Sequence, residues 1–119
     1  MKSLFLLFAC LVLTTSCSVF GSLTSTTRIQ AKDSFVLGNN EHGRFKVKLK
    51  NVSNQDLTVY RAPISGGTHS PITVKKDQII TVKVESDTAL VIQNDSNEEA
   101  SVNLKVTGDT GLSMGYKNQ

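Results

Sequence analysis

The sequence predicts an all-β fold, a small antiparallel β-sandwich of about seven or eight strands. Phe45, Val47 and Leu49 alternate with lysines, and similar period-two patterns recur along the chain. Turn-forming residues separate these short segments, and no segment after residue 17 has a useful length of helical periodicity. An immunoglobulin-like and a jelly-roll-like sandwich both fit, although the Cys–Trp–Cys pattern of true immunoglobulin domains is absent from the sequence.

The first half of the domain contains four expected strands. Short candidates at 28–31 and 34–37 precede a Gly- and Asn-rich turn. The segment 44–50 is the clearest strand, because its strict alternation gives one apolar and one polar face. After another polar turn, 56–61 alternates in the same way.

An irregular segment, 62–71, divides the two halves. It contains both prolines of the protein and a Gly-Gly pair, which exclude regular structure across it. The segment 88–93 is almost entirely apolar, so we expect it at the centre of a sheet. The remaining expected strands are 72–74, 79–85, 100–107 and 112–116.

The N-terminus has the features of an export signal. Lys2 precedes an apolar run from Leu4 to Leu13, which has about the 7–15 residues of a signal-peptide core and is too short for a spanning helix of about 20. Small residues then lead to Cys17. This pattern is similar to the signal of bacterial lipoproteins, although Thr14 occupies the position where Leu is usual. Ordinary secretion, with cleavage near Ser16 and a free thiol at Cys17, remains the alternative.

The resemblance implies a lipid-anchored protein with three parts. Residues 1–16 form the signal peptide, 17–27 the lipidated cysteine and a flexible tether, and 28–117 the β-sandwich domain. Several acyl chains on Cys17 would hold the protein stably in a lipid bilayer. The residue directly after Cys17 is Ser18 rather than an acidic residue, which would resemble an inner-membrane retention signal. We therefore expect the protein in the outer membrane.

Composition limits the classes of function. Removal of 16 of the 119 residues leaves 103, which is enough for one domain. The formal net charge of +3 falls to +2 without Lys2, too small to indicate a nucleic-acid partner. No cofactor is expected. The only other cysteine, Cys10, lies in the signal, so the mature chain forms no internal disulfide.

Four basic residues form the first candidate binding surface. Arg44, Lys46, Lys48 and Lys50 share the polar face of one expected strand. Such a row fits an anionic glycan, lipid head groups or an acidic partner. Alternatively, the lysines protect an edge strand from pairing with another sheet.

The irregular loop is the second candidate. Long loops on a β scaffold often carry recognition, and Tyr60 and Arg61 at its start are residue types favoured at binding hot spots. The segment Arg61–Pro71 would then insert into a partner. A plain crossover between the two sheets is the alternative.

Catalytic and metal-binding patterns are weak. His42 and His69 are the only histidines, and we expect both to be exposed in loops. Ser65, Ser70 and Asp77 flank His69, but no Gly-x-Ser-x-Gly motif accompanies them. Neither HExxH nor an EF-hand pattern is present. Five acidic turn residues could also come together at one end of the sandwich and bind Ca²⁺, although ordinary roles in their turns are more expected. These residues are Asp87, Asp95, Glu98, Glu99 and Asp109.

The sequence therefore favours a non-catalytic binding or accessory module of the cell envelope, with an unknown envelope protein or glycan as its ligand. The alternative is an inhibitor that inserts its loop 61–71 into a hydrolase, followed by a hydrolase that uses His69.

One internal similarity remains. Asn51-Val-Ser-Asn and Asn94-Asp-Ser-Asn each open a turn, which local Asn and Ser hydrogen bonding explains without a duplication.

Overall fold

A computed structural model of the chain describes residues 22–118, and every regular element in this range is a β-strand. The expected signal peptide, Cys17 and the first part of the expected tether lie outside the described residues. The strands are β1 Leu23–Ile29, β2 Asp33–Leu37, β3 Phe45–Asn51, β4 Leu57–Pro63, β5 Ile72–Val74, β6 Ile79–Val84, β7 Thr88–Asn94, β8 Ala100–Gly108 and β9 Met114–Tyr116.

The nine strands form two antiparallel sheets. Sheet A has the order β1-β8-β3-β6, and sheet B has the order β5-β4-β7-β2-β9. The pairs β1–β8, β2–β7, β3–β6 and β4–β5 are nested within one another along the chain. This nesting is that of a jelly roll, with β9 added at one edge. The predicted all-β sandwich is confirmed, and of the two expected architectures the strand order is that of a jelly roll. The described residues form nine strands rather than the expected seven or eight, because β9 is added to the eight strands of the jelly roll.

The core lies between the two sheets and is built from alternate residues of each strand. Because side chains in a strand point alternately to opposite faces, the period-two pattern sends one set inward. On β3, for example, Val47 and Leu49 are fully buried while Lys46 and Lys48 are exposed. The largest fully buried side chains are Ile29, Leu37, Leu49, Leu57, Leu90 and Ile92. As expected, β7 is central, because it pairs with β4 and β2.

The start of β1 and the end of β4 lie outside the limits that the sequence predicts. β1 begins at Leu23, so half of the expected tether is a strand that pairs with β8 along its whole length. Leu23 packs against the core, and the threonines that follow suit a strand because they are β-branched. β4 continues to Pro63, where it still pairs with Thr88, so the irregular loop begins at residue 64.

The connections gather at two ends of the sandwich. The upper end carries the loops 38–44, 64–71, 85–87 and 109–113, which are joined by backbone hydrogen bonds such as Asp87 N to His42 O and Asp109 N to Arg44 O. The lower end carries the turns 30–32, 52–56, 75–78 and 95–99. In the part of the chain that the structure describes, no helix is long and apolar enough to cross a membrane.

Candidate functional site

The outer face of sheet A is basic. β3 contributes three lysines, and the strand register adds more from its neighbours, since Lys83 of β6 lies opposite Lys46 and Lys105 of β8 lies opposite Lys48. On the edge strand β1, Arg28 lies opposite Ser101 and faces the same side. All except the half-buried Lys50 are exposed. We call this surface the basic face, and its charged residues are Arg28, Lys46, Lys48, Lys50, Lys83 and Lys105.

No acidic residue balances these charges on the outward positions of β1, β3, β6 and β8. Directly opposite residues on antiparallel strands have Cβ atoms about 4.5–5.5 Å apart, and like charges in such pairs are destabilising. The pairs Lys46–Lys83 and Lys48–Lys105 are of this kind. Neighbouring lysines along β3 are separated by about 6.6–7 Å. Charges this close act together, because the Debye length in physiological salt is about 8 Å.

Edge protection does not explain the lysines of β3. That interpretation requires an edge strand, whereas β3 pairs with β8 on one side and β6 on the other. The edges of sheet A are β1 and β6. The edge-protection alternative for Lys46, Lys48 and Lys50 is therefore wrong.

Two shallow hollows follow the basic face. One, of about 550 Å³, crosses all four strands and is lined by Thr24, Thr26, Lys48, Lys50, Asn103 and Lys105 together with Ile79 at the far edge. The other, of about 470 Å³, lies toward the upper end and is lined by Arg44, Lys46, Lys83 and Thr107 together with the acidic Glu85. The expected row of basic residues on β3 thus borders both hollows.

The remaining candidates from the sequence do not join this surface. Tyr60 lies opposite Val91 and faces outward from sheet B, on the other side of the sandwich. Arg61 belongs to β4 rather than to the loop, and its guanidinium Nη1 donates a hydrogen bond to the backbone oxygen of Lys83 at 3.3 Å. His69 is exposed in the loop 64–71. Arg61 and His69 are neighbours, since the His69 backbone N–H donates a hydrogen bond to the Arg61 backbone oxygen at 2.8 Å, whereas Tyr60 faces away from them.

A third hollow, of about 590 Å³, lies at the upper end beside that loop, and Ser65, His69 and Asp87 line it. Within residues 22–118 no hydrogen bond joins the side chain of His69 to Ser65, Ser70 or Asp77. The carboxylate of Asp87 instead accepts the backbone N–H of His42 at 2.9 Å. This hollow contains the residue types of a hydrolase without the hydrogen bonds that would activate a nucleophile.

His42 is buried, contrary to the expectation of an exposed loop histidine. Its Nδ1 lies 2.6 Å from the backbone oxygen of Gly43, and its Nε2 lies 2.8 Å from that of Thr88. The ring also packs edge-on against Phe45, with centroids 5.0 Å apart. His42 thus links the loop before β3 to the start of β7, and these contacts are structural.

The turn acids do not gather at one end of the sandwich. Asp87 and Asp109 lie at the upper end, whereas Asp95, Glu98 and Glu99 lie in the turn between β7 and β8 at the lower end. Within residues 22–118 no cluster of three or more His, Cys, Asp or Glu residues could hold a metal ion. Hydrogen bonds from the backbone N–H groups of Gly43 and Gly111 lower the pKa of Asp109 below its ordinary value of 3.8.

Sequence reasoning missed three members of the basic face, namely Arg28, Lys83 and Lys105. Their outward direction was readable from the alternation in each strand. Their proximity to the lysines of β3 was not, because it depends on which strands are neighbours. The order β1-β8-β3-β6 joins strands that are far apart in the chain: Lys48 and Lys105 are 57 residues apart, and Arg28 and Ser101 are 73 residues apart.

Comparisons with known proteins add little to this description. No protein-family model matches the chain, and no curated protein matches it. Among solved structures, the chain is similar to the crystal structure of Yersinia pseudotuberculosis-derived mitogen, with a TM-score of 0.44 and 20% sequence identity. The similarity covers 78% of this chain and 94% of that chain. A likeness at this level carries no conclusion about ligand or activity.

Proposed function

We propose that the protein is a lipid-anchored, non-catalytic binding module of the bacterial cell envelope, and that the basic face is its binding surface. The signal-like sequence that ends at Cys17 supports the anchor, and the non-acidic Ser18 that follows it favours the outer membrane. The basic face supports binding, because Lys48 and Lys105 lie directly opposite each other on the two central strands of sheet A, and the residues across from them on β6 and β1 are threonines rather than acids. A fold selected for stability alone would place opposite or neutral residues there.

The observation that carries this proposal is the pair Lys48–Lys105 on the two central strands of sheet A. Both side chains border the hollow of about 550 Å³, the larger of the two on the basic face, so a ligand in this hollow meets both charges. An anionic group between them would convert a repulsive pair into two attractive contacts. Binding would thereby relieve the unfavourable electrostatics of the free protein.

The anchor and the binding surface are tested separately. Labelled palmitate should enter the wild type and not Cys17→Ser, and Cys17→Ser should leave the membrane fraction. If wild type takes up no palmitate, or if Cys17→Ser stays membrane-bound in the same processed form, the anchor is wrong.

For the binding surface, immobilised full-length protein is used to capture components of the native envelope. The double variant Lys48→Gln/Lys105→Gln should lose the captured component. The variant Lys75→Gln/Lys76→Gln removes the same charge from exposed residues of a lower-end turn and should retain it. Equal capture by both variants would show that the basic face is not the binding surface. An inhibitor would instead lose its target enzyme with Arg61→Ala, and a hydrolase would lose turnover with His69→Ala.

A further inference from the structure

The shape of the basic face indicates an extended ligand. The larger hollow runs from Thr24 and Thr26 on β1, across β8 and β3, to Ile79 on β6. Neighbouring strands are about 4.8 Å apart, so the hollow crosses a distance of about 14 Å. The smaller hollow continues the surface toward the upper end through Arg44, Lys46 and Lys83, which outnumber its one acidic lining residue, Glu85. Positive charges distributed over this length match several anionic groups in sequence rather than one small ion.

Neutral hydrogen-bonding groups stand among the charges. Thr26 Oγ1 donates a hydrogen bond to Asn103 Oδ1 at 3.0 Å, which orients the amide of Asn103. Within residues 22–118 the amide nitrogen of Asn103 has no hydrogen-bond partner, and the side chain is exposed beside Lys50. Thr24 lies in the same row as Lys105. The hollow therefore offers hydroxyl and amide groups to neutral polar groups of a ligand, between the lysines that would hold its anions.

The same positions lack the features that other polyanions require. Along the outward positions of β1, β3, β6 and β8 there is no aromatic residue on which the bases of a single-stranded nucleic acid could stack. Proteins that lie on a membrane insert apolar side chains into the head-group region. On these four strands Ile79 is the only large apolar residue that is more than half exposed, at 52%. A planar membrane surface would also leave the hollow unfilled.

We infer that the basic face binds an anionic polysaccharide, such as a uronate polymer, laid across the strands of sheet A with its acidic groups on Lys48, Lys105 and their neighbours and its hydroxyl groups on Thr24, Thr26 and Asn103. This inference rests on the proposed function, since it names the class of ligand for the same surface. Charge complementarity and the alternation of lysines with hydroxyl and amide groups are the observations that select it.

The test measures binding of fluorescein-labelled polygalacturonate oligomers to the full-length protein in neutral detergent. We expect binding that weakens as salt is added, because the lysines are exposed to screening. Lys48→Gln/Lys105→Gln should reduce affinity at least about tenfold, whereas Lys75→Gln/Lys76→Gln should change it less than about twofold. Asn103→Ala should also reduce affinity, a result that purely ionic binding would not give. Neutral dextran should not bind.

Competing ligands complete the test. The inference is overturned if polygalacturonate does not bind, or if both double variants bind it equally. It is also overturned if phosphatidylglycerol vesicles or single-stranded DNA displace polygalacturonate when the competitor is present at a lower concentration of negative charge than polygalacturonate itself. These outcomes differ from failure of the proposed function. If Lys48→Gln/Lys105→Gln loses an envelope component while polygalacturonate fails to bind, the surface is correct and the ligand class is wrong.

Discussion

Lys48 and Lys105 lie directly opposite each other on the two central strands of sheet A, and their outward neighbours across the strands are threonines. Two ammonium groups in this relationship repel each other in the free protein. We therefore expect that a single substitution at this pair can raise the stability of the fold while it lowers the affinity for the proposed ligand.

The variant Lys105→Glu should make the protein more stable and its binding weaker. The new carboxylate would lie opposite Lys48, and favourable cross-strand charge pairs contribute about 0.2–1 kcal/mol. For a domain of this size, such a gain raises Tm by a few degrees. Thermal unfolding followed by circular dichroism measures this change. Lys105→Gln, which only removes the repulsion, should give a smaller increase. A lower Tm for Lys105→Glu would contradict the electrostatic account of the pair.

Two asparagines hold the lower end by the same local geometry. The oxygen of Asn51 accepts hydrogen bonds from the N–H and hydroxyl of Ser53, and the oxygen of Asn94 accepts the equivalent pair from Ser96. Each amide nitrogen donates to backbone oxygens of its own turn and of another strand or connection. Both side chains are fully buried. Both turns therefore have the local Asn and Ser hydrogen bonding that the sequence predicts for them.

We therefore expect Asn94→Ala and Asn51→Ala each to lower the free energy of unfolding by about 1–3 kcal/mol, because several buried polar groups lose their partners. Urea unfolding measures this loss. The matched controls are Asn97→Ala and Asn54→Ala, which change exposed asparagines of the same two turns. If a control variant is destabilised as much as its buried counterpart, loss of asparagine in the turn, rather than its buried hydrogen bonds, is the cause.

The strands were the part of the fold that could be predicted from the sequence. The segments 72–74 and 79–85 have nearly the observed limits, because alternation of apolar and polar residues is a local signal. The start of β1 was missed because its threonines and serines alternate weakly. Its place in the sheet comes from pairing with β8, which no local pattern records.

The basic face was predictable only in part. Arg44, Lys46, Lys48 and Lys50 were identified from one strand, but that strand alone could not show whether it lies at the edge of a sheet. Edge protection is excluded because β3 lies between β8 and β6, and strand order is a long-range property. Burial of His42 was missed for the same reason, since Thr88, its partner, lies on another strand.

Asp109 should make the free energy of unfolding depend on pH in the acidic range. Its pKa is lowered by the N–H groups of Gly43 and Gly111, so folding favours the ionised form. A carboxyl group with a lowered pKa contributes stability that is fully present above its unfolded pKa, near 3.8, and is lost as the pH falls through its lower folded value. We expect Asp109→Asn to be less stable than wild type at neutral pH, with the difference shrinking below about pH 4.

Urea midpoints measured between about pH 2 and 7 follow this difference. Asp56→Asn, which changes an exposed carboxylate of the lower-end turn 52–56, serves as the control. A constant gap between wild type and Asp109→Asn over the whole range would show that the carboxylate charge is not responsible.

The substitution His42→Phe should destabilise the upper end. Phenylalanine retains packing against Phe45 but donates nothing, so the backbone oxygen that accepts the ring N–H, that of Gly43 at 2.6 Å or that of Thr88 at 2.8 Å according to the tautomer, loses its hydrogen bond. Each carbonyl left without a partner costs about 1–3 kcal/mol when water cannot reach it. Thermal unfolding measures the loss. His69→Phe changes the exposed histidine of the neighbouring loop and should leave Tm nearly unchanged. Because the lysines of the proposed binding surface lie on the outer face of sheet A, His42→Phe should also keep its affinity for polygalacturonate at temperatures where it is folded. Loss of that affinity in the folded variant would mean that the upper end takes part in binding.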